Sequence, residues 1–367
     1  MESLIKNIIE MMKIKSISGN LTEINMVFDL IEKLYVKQGV VVHRYDFENA
    51  SPVMLLANCD GFDFDVITIG HIDVVPAKDN MFNPRIEDNR IYGRGGLDMK
   101  ASVAVCLETL LYTLGKNIKF GVLITSDEET SSGGMKALQK ENKINAKIVL
   151  DTDSGDLTHL TEKYKHPVSI SITAKGENAH SSQPWNGVNA VNNLINCINE
   201  LEQYFPRFEK ENPPQNTWVD TMVVTAVNSP TTYNVVPAEA VARINFRLTE
   251  ATPLEKLREI LETATLKNGC VYEILLSSCG VYMNADNPYI KQYLSVAEKV
   301  IDTKIEISTS CGATDSRMFA DKNAVIIMHS INGKDLHGDN EYAEIDSIFA
   351  LRDIQKAFID SLLGAYL

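Results

Sequence analysis

Long apolar runs are missing from this sequence. No stretch of about eighteen apolar residues occurs, so no segment has the makings of a membrane-spanning helix. The continuous apolar core and small-residue cleavage site of a secretory leader are missing as well. The opening MESLIKNIIEMMKIKS instead spaces Leu4, Ile5, Ile8, Ile9 and Met12 as one face of an amphipathic helix. Positive charge is scarce: 35 Lys and Arg stand against 49 Asp and Glu, a net charge of −14. Nucleic-acid and anionic-membrane surfaces need clustered positive charge, so neither partner is expected. The six cysteines (Cys59, Cys106, Cys197, Cys270, Cys279, Cys311) form no CxxC pair. They lie in apolar segments and read as reduced core thiols of a cytoplasmic protein. Repeats and low-complexity segments are absent. The nearest approach to a phosphate-cradling loop, GRGGLDMK, lacks P-loop spacing.

What remains is an ordinary globular balance, 44% hydrophobic and 23% charged. At 367 residues the chain is long for one core, so two domains are expected. Up to about Lys163, strand-length apolar runs (VMLLAN, FDVITIGHID, FGVLITS, AKIVLDTD) alternate with helical patterns such as KASVAVCLETLLYTLG. That is the α/β rhythm of a sheet covered by helices, and the near-continuous apolar strands predict burial on both faces. The pattern then changes. PVSISITAKG, TMVVTAVNS, AEAVARINFRLT and VYEILLSS read as strands, with helices over 187–205 and near 254–266. From about Val281 the α/β rhythm resumes. The simplest organisation is a catalytic domain (1–164 and 281–367) interrupted by an inserted α+β domain (165–280).

Acidic and imidazole side chains recur at strand ends: His71 and Asp73 in TIGHIDVV, Asp127, Glu128 and Glu129 in ITSDEETSSGG, Asp151 and Asp153 in VLDTDSGD. Asp98 lies between a glycine-rich loop and a helix start, and His337 follows a strand near the C-terminus. In an α/β sheet the carboxyl ends of the strands converge on one crevice. Imidazole and carboxylate oxygen are zinc ligands. A two-metal site needs a bridging carboxylate and a separate carboxylate that takes a proton from water. Glu128 and Glu129 supply base and ligand side by side, and Asp73 suits the other ring N–H of His71. Singly, each has a bland reading: a solvated helix start for the Glu pair, an N-cap for Asp98.

The stretch GHIDVVPAKDNMFNPRIEDNRIYGRGGLDMKASVAV resembles the signature of the acetylornithine deacetylase, succinyl-diaminopimelate desuccinylase and glutamate carboxypeptidase family of metallohydrolases. The resemblance extends through SDEETSSGG, GENAHSSQPWNGVNAV, NVVPAEAVARINFR, CGATDSR and LHGDNEY, in order along nearly the whole chain. It implies a phosphorylase/hydrolase-like α/β catalytic domain with a central mixed sheet, and a ferredoxin-like lid through which the chain forms a homodimer. It implies two Zn2+ per chain, with Co2+ or Mn2+ as alternatives. His71 would bind one metal, Asp98 would bridge, and Glu129 and His337 would bind the second. The remaining ligand of the first metal is Asp151 or Asp153; the resemblance favours Asp153, with Asp151 behind it.

Glu128 would be the general base, supported by Asp73, and His180 of the lid would polarise the scissile carbonyl, a role worth about 3 kcal/mol of barrier. Asn234, Arg247, Gly312 and Thr314 would contact substrate, Arg247 as a carboxylate clamp; Asp315 lies in the same loop as Thr314. A surface role for His180 and an ion pair for Arg247 are the bland alternatives. The expected reaction is hydrolysis of an amide bond in a small acylated amino acid or short peptide, by a deacylase or carboxypeptidase using a metal-bridging hydroxide. A dipeptidase is the alternative, as is a non-catalytic binding protein that keeps the fold; Glu128 argues against the latter, because a metal scaffold has no use for a base.

Overall fold

Two parallel neighbours flank the strand Asp63–His71 in the computed structural model, which describes residues 3–130, 132–141, 144–229 and 232–364. Phe120–Thr125 lies on one side and Asn145–Asp151 on the other, with Val325–Met328 parallel to the latter. Antiparallel strands Ala50–Ala57 and Val41–Phe47 extend the sheet beyond Phe120–Thr125, so the sheet is mixed. Every residue of Phe120–Thr125 is buried, although alternate side chains point to opposite faces. Both faces are therefore covered, as the unbroken apolar strands predict.

The helix Ala101–Thr113 belongs to that cover. Val103, Val105, Leu107 and Leu110 point different ways around it and are all buried, the mark of a helix enclosed on all sides. It packs with the C-terminal helix Ile345–Leu362 and the N-terminal helix Ser3–Met12 in one core. On these parallel strands the carboxyl ends line up: His71 pairs with Thr125, and Asp151 pairs with Ile69 and Met328. Three successive loops thus leave the sheet at one edge.

A second compact unit consists of Lys163–Tyr282 with Thr309–Ala313, and the first unit is the remainder of the described chain. In the second unit the strands stand in the order Thr221–Asn228, Glu239–Leu248, His166–Lys175, Cys270–Ser277, all antiparallel. With helices Ala190–Leu201 and Leu254–Lys267 between them, this is a βαββαβ, ferredoxin-like arrangement. Val168, Ile170, Ile172 and Ala174 alternate into its core. The first helix is shorter than the 187–205 expected from periodicity. Asn189 caps it by accepting from the N–H groups of Val191 and Asn192, and the segment before it forms a 3-10 turn at Pro184–Asn186.

No helix among the described residues is long and apolar enough to cross a membrane. All six cysteines are free, but the core-thiol expectation holds only for Cys106, Cys197 and Cys270; Cys311 is exposed and Cys59 and Cys279 are half-buried. Their apolar sequence neighbours misled because Cys311 lies on a surface loop, where adjacent side chains need not share a burial pattern.

Candidate functional site

His71 is the last residue of its strand, and both ring nitrogens are committed. Nδ1 lies 3.0 Å from the Asp73 carbonyl oxygen and 3.4 Å from Asp73 Oδ1. Nε2 lies 2.9 Å from Asp98 Oδ1 and 3.7 Å from Asp153 Oδ1. The other carboxylate oxygen of Asp98 lies 2.9 Å from His337 Nε2. One buried carboxylate thus stands between two imidazoles.

The glycine-rich loop makes this possible. Gly95, at φ +81, turns the chain, and Asp98 follows at φ −123, ψ 97, outside helical values. The Asp98 side chain therefore faces the imidazoles instead of capping the helix that follows. Glu341 Oε1 accepts the N–H groups of Leu97 and Asp98 at 3.0 and 3.2 Å. Its other oxygen pairs with Arg94 Nη1, both side chains being buried. Arg94 Nη2 donates to the carbonyl oxygen of His337 at 2.8 Å, and His337 is held at φ +61, a conformation that costs a non-glycine residue energy. One ion pair fixes the backbone at both Asp98 and His337.

The turn after Phe120–Thr125 carries Glu128 and Glu129. Their N–H groups donate to the two oxygens of Asp73 at 3.2 and 3.4 Å, and Ser18 Oγ donates to the same carboxylate at 2.7 Å. Glu129 Oε2 comes within 3.2 Å of His337 Nε2. At the end of Asn145–Asp151 the two aspartates divide. Asp151 accepts the hydroxyls of Thr314 and Ser316 and the N–H of Asp153, whereas Asp153 turns its carboxylate toward His71.

Two donor groups result: His71, Asp98 and Asp153; and Asp98, Glu129 and His337. Within each, one ligand atom per residue lies within 4.8 Å of the others. The charges require compensation. Burial opposes a charge on His71, yet the carboxylates of Asp153, Asp73 and Asp98 outweigh it and raise its pKa well above the usual value. Burial is likewise outweighed at Asp98, which His337 and His71 hold far below the ordinary carboxylate range. Burial pushes Glu129 up to about 7, with the charge of Asp98 adding to it. Burial also pushes Asp153 up to about 7, against its hydrogen bond to His71. Without cations, Glu129 and Asp153 keep their protons to a higher pH than ordinary carboxyl groups. Imidazole and carboxylate donors in two triads sharing one carboxylate fit two divalent metal ions. Glu128 belongs to neither group, and burial followed by the charge of Asp153 raises its pKa well above the usual value.

Among the remaining candidates, Thr314 has its hydroxyl bound to Asp151. His180, Asn234, Arg247 and Gly312 belong to the second unit. His180 is exposed, with Nδ1 2.8 Å from Ser182 Oγ. Asn234 is exposed and accepts the Ser181 N–H on its carbonyl oxygen. Gly312 is exposed, its N–H on Ser310 Oγ. Arg247, half-buried on the strand Glu239–Leu248, makes no ion pair among the described residues. Sequence reasoning overlooked Glu341, Ser18 and Ser316. The available signal for Glu341 was its place four residues after His337 in a segment already picked out.

The chain matches the family model described as peptidase family M20/M25/M40 over residues 67–361. It is 29% identical to a succinyl-diaminopimelate desuccinylase of Orientia tsutsugamushi (strain Boryong), covering 94% of each chain. Its fold resembles that of aminopeptidase PepT from Bacillus cereus ATCC 10987 (TM-score 0.76, 21% identity, 98% of each chain). It also resembles the M20 family metallo-carboxypeptidase Sso-CP2 from Sulfolobus solfataricus (TM-score 0.75, 20% identity, 98% of this chain and 99% of that one).

Proposed function

Since this chain belongs to peptidase family M20/M25/M40 and is a metal-dependent amidohydrolase, we propose that it hydrolyses the amide bond of a small N-acyl amino acid or short peptide, with Glu128 as general base. The observation that carries this reading is the division of labour among the acids. Asp98 faces an imidazole with each oxygen, Glu129 and Asp153 stand on either side, and Glu128 is left out of both donor groups.

His71, Asp98 and Asp153 would hold one metal and Asp98, Glu129 and His337 the other, zinc suiting this donor set. Bound there, two such cations supply Lewis acidity toward a carbonyl oxygen and toward water. Glu128 does the proton work. Its burial beside Asp153 raises its proton affinity, which suits a group that takes a proton from water and returns it to the leaving amine. Asp73 fixes the ring of His71 and, through two N–H groups, the turn on which Glu128 sits.

The second unit would act as lid and homodimer interface, a cytoplasmic dimer being the expected state. His180 would donate to the developing oxyanion, while Asn234, Gly312 and Thr314 line the substrate. Arg247 would clamp a substrate carboxylate; its lack of an ion-pair partner among the described residues supports that role. A desuccinylase-like substrate, an acylated diamino acid, is favoured by the relative at 29% identity.

The test is metal content together with hydrolysis of acetyl- and succinyl-amino acids, dipeptides and C-terminal glutamate amides, before and after chelation and with zinc restored. About two metals per chain and chelator-sensitive hydrolysis are expected. A protein that binds no metal and stays inert after zinc addition overturns the reading in favour of a binding protein.

A further inference from the structure

Arg317 is buried, and none of the roles above uses it. It lies in the 3-10 segment Asp315–Lys322, and its guanidinium reaches two different loops. Nη1 donates to the carbonyl oxygen of Thr314 at 2.7 Å, and Nη2 donates to Ser132 Oγ at 2.7 Å. Ser132 closes the turn that carries Glu128 and Glu129. It sits at φ +49, a left-handed conformation unusual for serine, and its N–H donates to the carbonyl oxygen of Asp127 at 2.9 Å. The Asp127 carboxylate in turn accepts the N–H of Gly133 at 2.7 Å. Asp73 grips the start of this turn, and Arg317 grips its end.

The other arm leads toward the metal donors. Thr314 and Ser316 bind Asp151 through their hydroxyls, and Asp151 Oδ1 accepts the N–H of Asp153 at 2.9 Å. Arg317 is therefore the tie between the Glu128 turn and the strand end that sets Asp153. It is also a positive charge among acids. Asp315 Oδ1 lies 3.8 Å from Nη2, and neither oxygen of that buried carboxylate has a hydrogen-bond partner among the described residues.

We propose that Arg317 is a positioning residue for Glu128, holding its turn against the Asp151–Asp153 strand end through Ser132 and Thr314. The inference rests on the reading of Glu128 as general base. The planar fork meets the two acceptors with separate nitrogens held in fixed geometry, whereas an ammonium group would have to reach both from a single nitrogen. A misplacement of about 1 Å in a reacting group costs on the order of 100-fold in rate, so the tie acts on kcat. It has no reason to alter metal stoichiometry, since no metal donor touches it directly.

The experiment uses the zinc-loaded enzyme and four variants: R317A, R317K, S132A and the double variant R317A/S132A. We expect R317A to lower kcat by about 10- to 100-fold with KM and metal content unchanged, S132A to lower it several-fold, and the double variant to be no slower than R317A alone. Free guanidinium restores part of the lost rate in R317A, and R317K falls between R317A and the parent. Hydrogen exchange at the amides of residues 127–134 rises in R317A and in S132A, in the metal-free protein as well as the loaded one. If R317A fails to fold, S132A and R317K carry the test. An S132A enzyme with parental kcat and parental exchange in this turn overturns the proposal. E128Q separates the two readings: an inactive E128Q beside a fully active S132A and R317K removes the Arg317 inference alone, whereas an active E128Q removes the general-base assignment itself.

Discussion

Asp73 accepts the peptide N–H of Glu128 at 3.2 Å, so the residue beside the His71 ring also sets the turn of the proposed base. Asp73→Ala removes that acceptor together with those for Glu129 and Ser18. Loss of such a partner behind a metal-binding histidine typically costs about 10- to 100-fold in metal affinity or activity. Both should fall here, measured by chelator competition and by kcat/KM. Parental values in both would show that His71 and the turn are held by other contacts.

The Arg94–Glu341 pair is buried on both sides. Removing one partner of such a pair usually costs about 3–5 kcal/mol, because the other charge is stranded. Glu341→Ala should lower the denaturant-unfolding free energy of the metal-free protein by about that amount. It also frees the N–H of Asp98, so metal affinity falls further than stability alone explains. A variant with both residues replaced by apolar ones should recover much of the stability but not the metal affinity.

Metal uptake should release protons. In the metal-free protein burial pushes Glu129 and Asp153 up to about 7, so near pH 6 both are largely protonated, and they must ionise to bind. Calorimetric titration of zinc at pH 6 in buffers of different ionisation enthalpy should show net release from Glu129 and Asp153 together with the imidazolium groups of His71 and His337, whose pKa values their carboxylate neighbours also raise; the share from the two acids decreases as the pH rises past about 7. Binding heats independent of the buffer would contradict the assignment of these four residues as ligands.

His329, buried against Tyr293 with its Nδ1 3.0 Å from the phenol oxygen, has a pKa pushed down to about 4 by burial. In the unfolded chain the same imidazole titrates near its ordinary value of about 6.5. Between those values the unfolded state binds a proton that the folded state refuses. Stability from this residue is thus complete above about pH 6.5 and is lost as the pH falls toward 4, by on the order of 3 kcal/mol. His329→Gln should flatten this part of the profile: the parent loses ground to the variant between pH 6.5 and 4 in paired unfolding experiments. A constant gap between the two would mean that His329 titrates normally.

The sheet was legible because its strands are continuous apolar runs, and the second unit because Val168 to Ala174 and their neighbours alternate cleanly. His71, Asp98, Glu128, Glu129, Asp153 and His337 stood out as polar residues at places where apolar elements stop. Their supports did not. Glu341 reaches back to Leu97 and Asp98, Ser18 to Asp73, and Arg317 to Ser132. Such hydrogen bonds join segments far apart in the chain and leave no periodicity to read. The length of the helix at Ala190–Leu201 was misjudged for a related reason: a cap at Asn189 is a matter of local geometry, and the flanking apolar pattern runs past it.

The order in which the donors occur along the chain bears on how the protein matures. The group formed by His71, Asp98 and Asp153 has left the ribosome once the first half of the chain is made, on a sheet still lacking the strand Val325–Met328. The other group waits for His337, and the backbone of Asp98 waits for Glu341. A chain ending before His337 thus contains the first donor group but lacks the second, and the backbone of its Asp98 goes without the Glu341 acceptor.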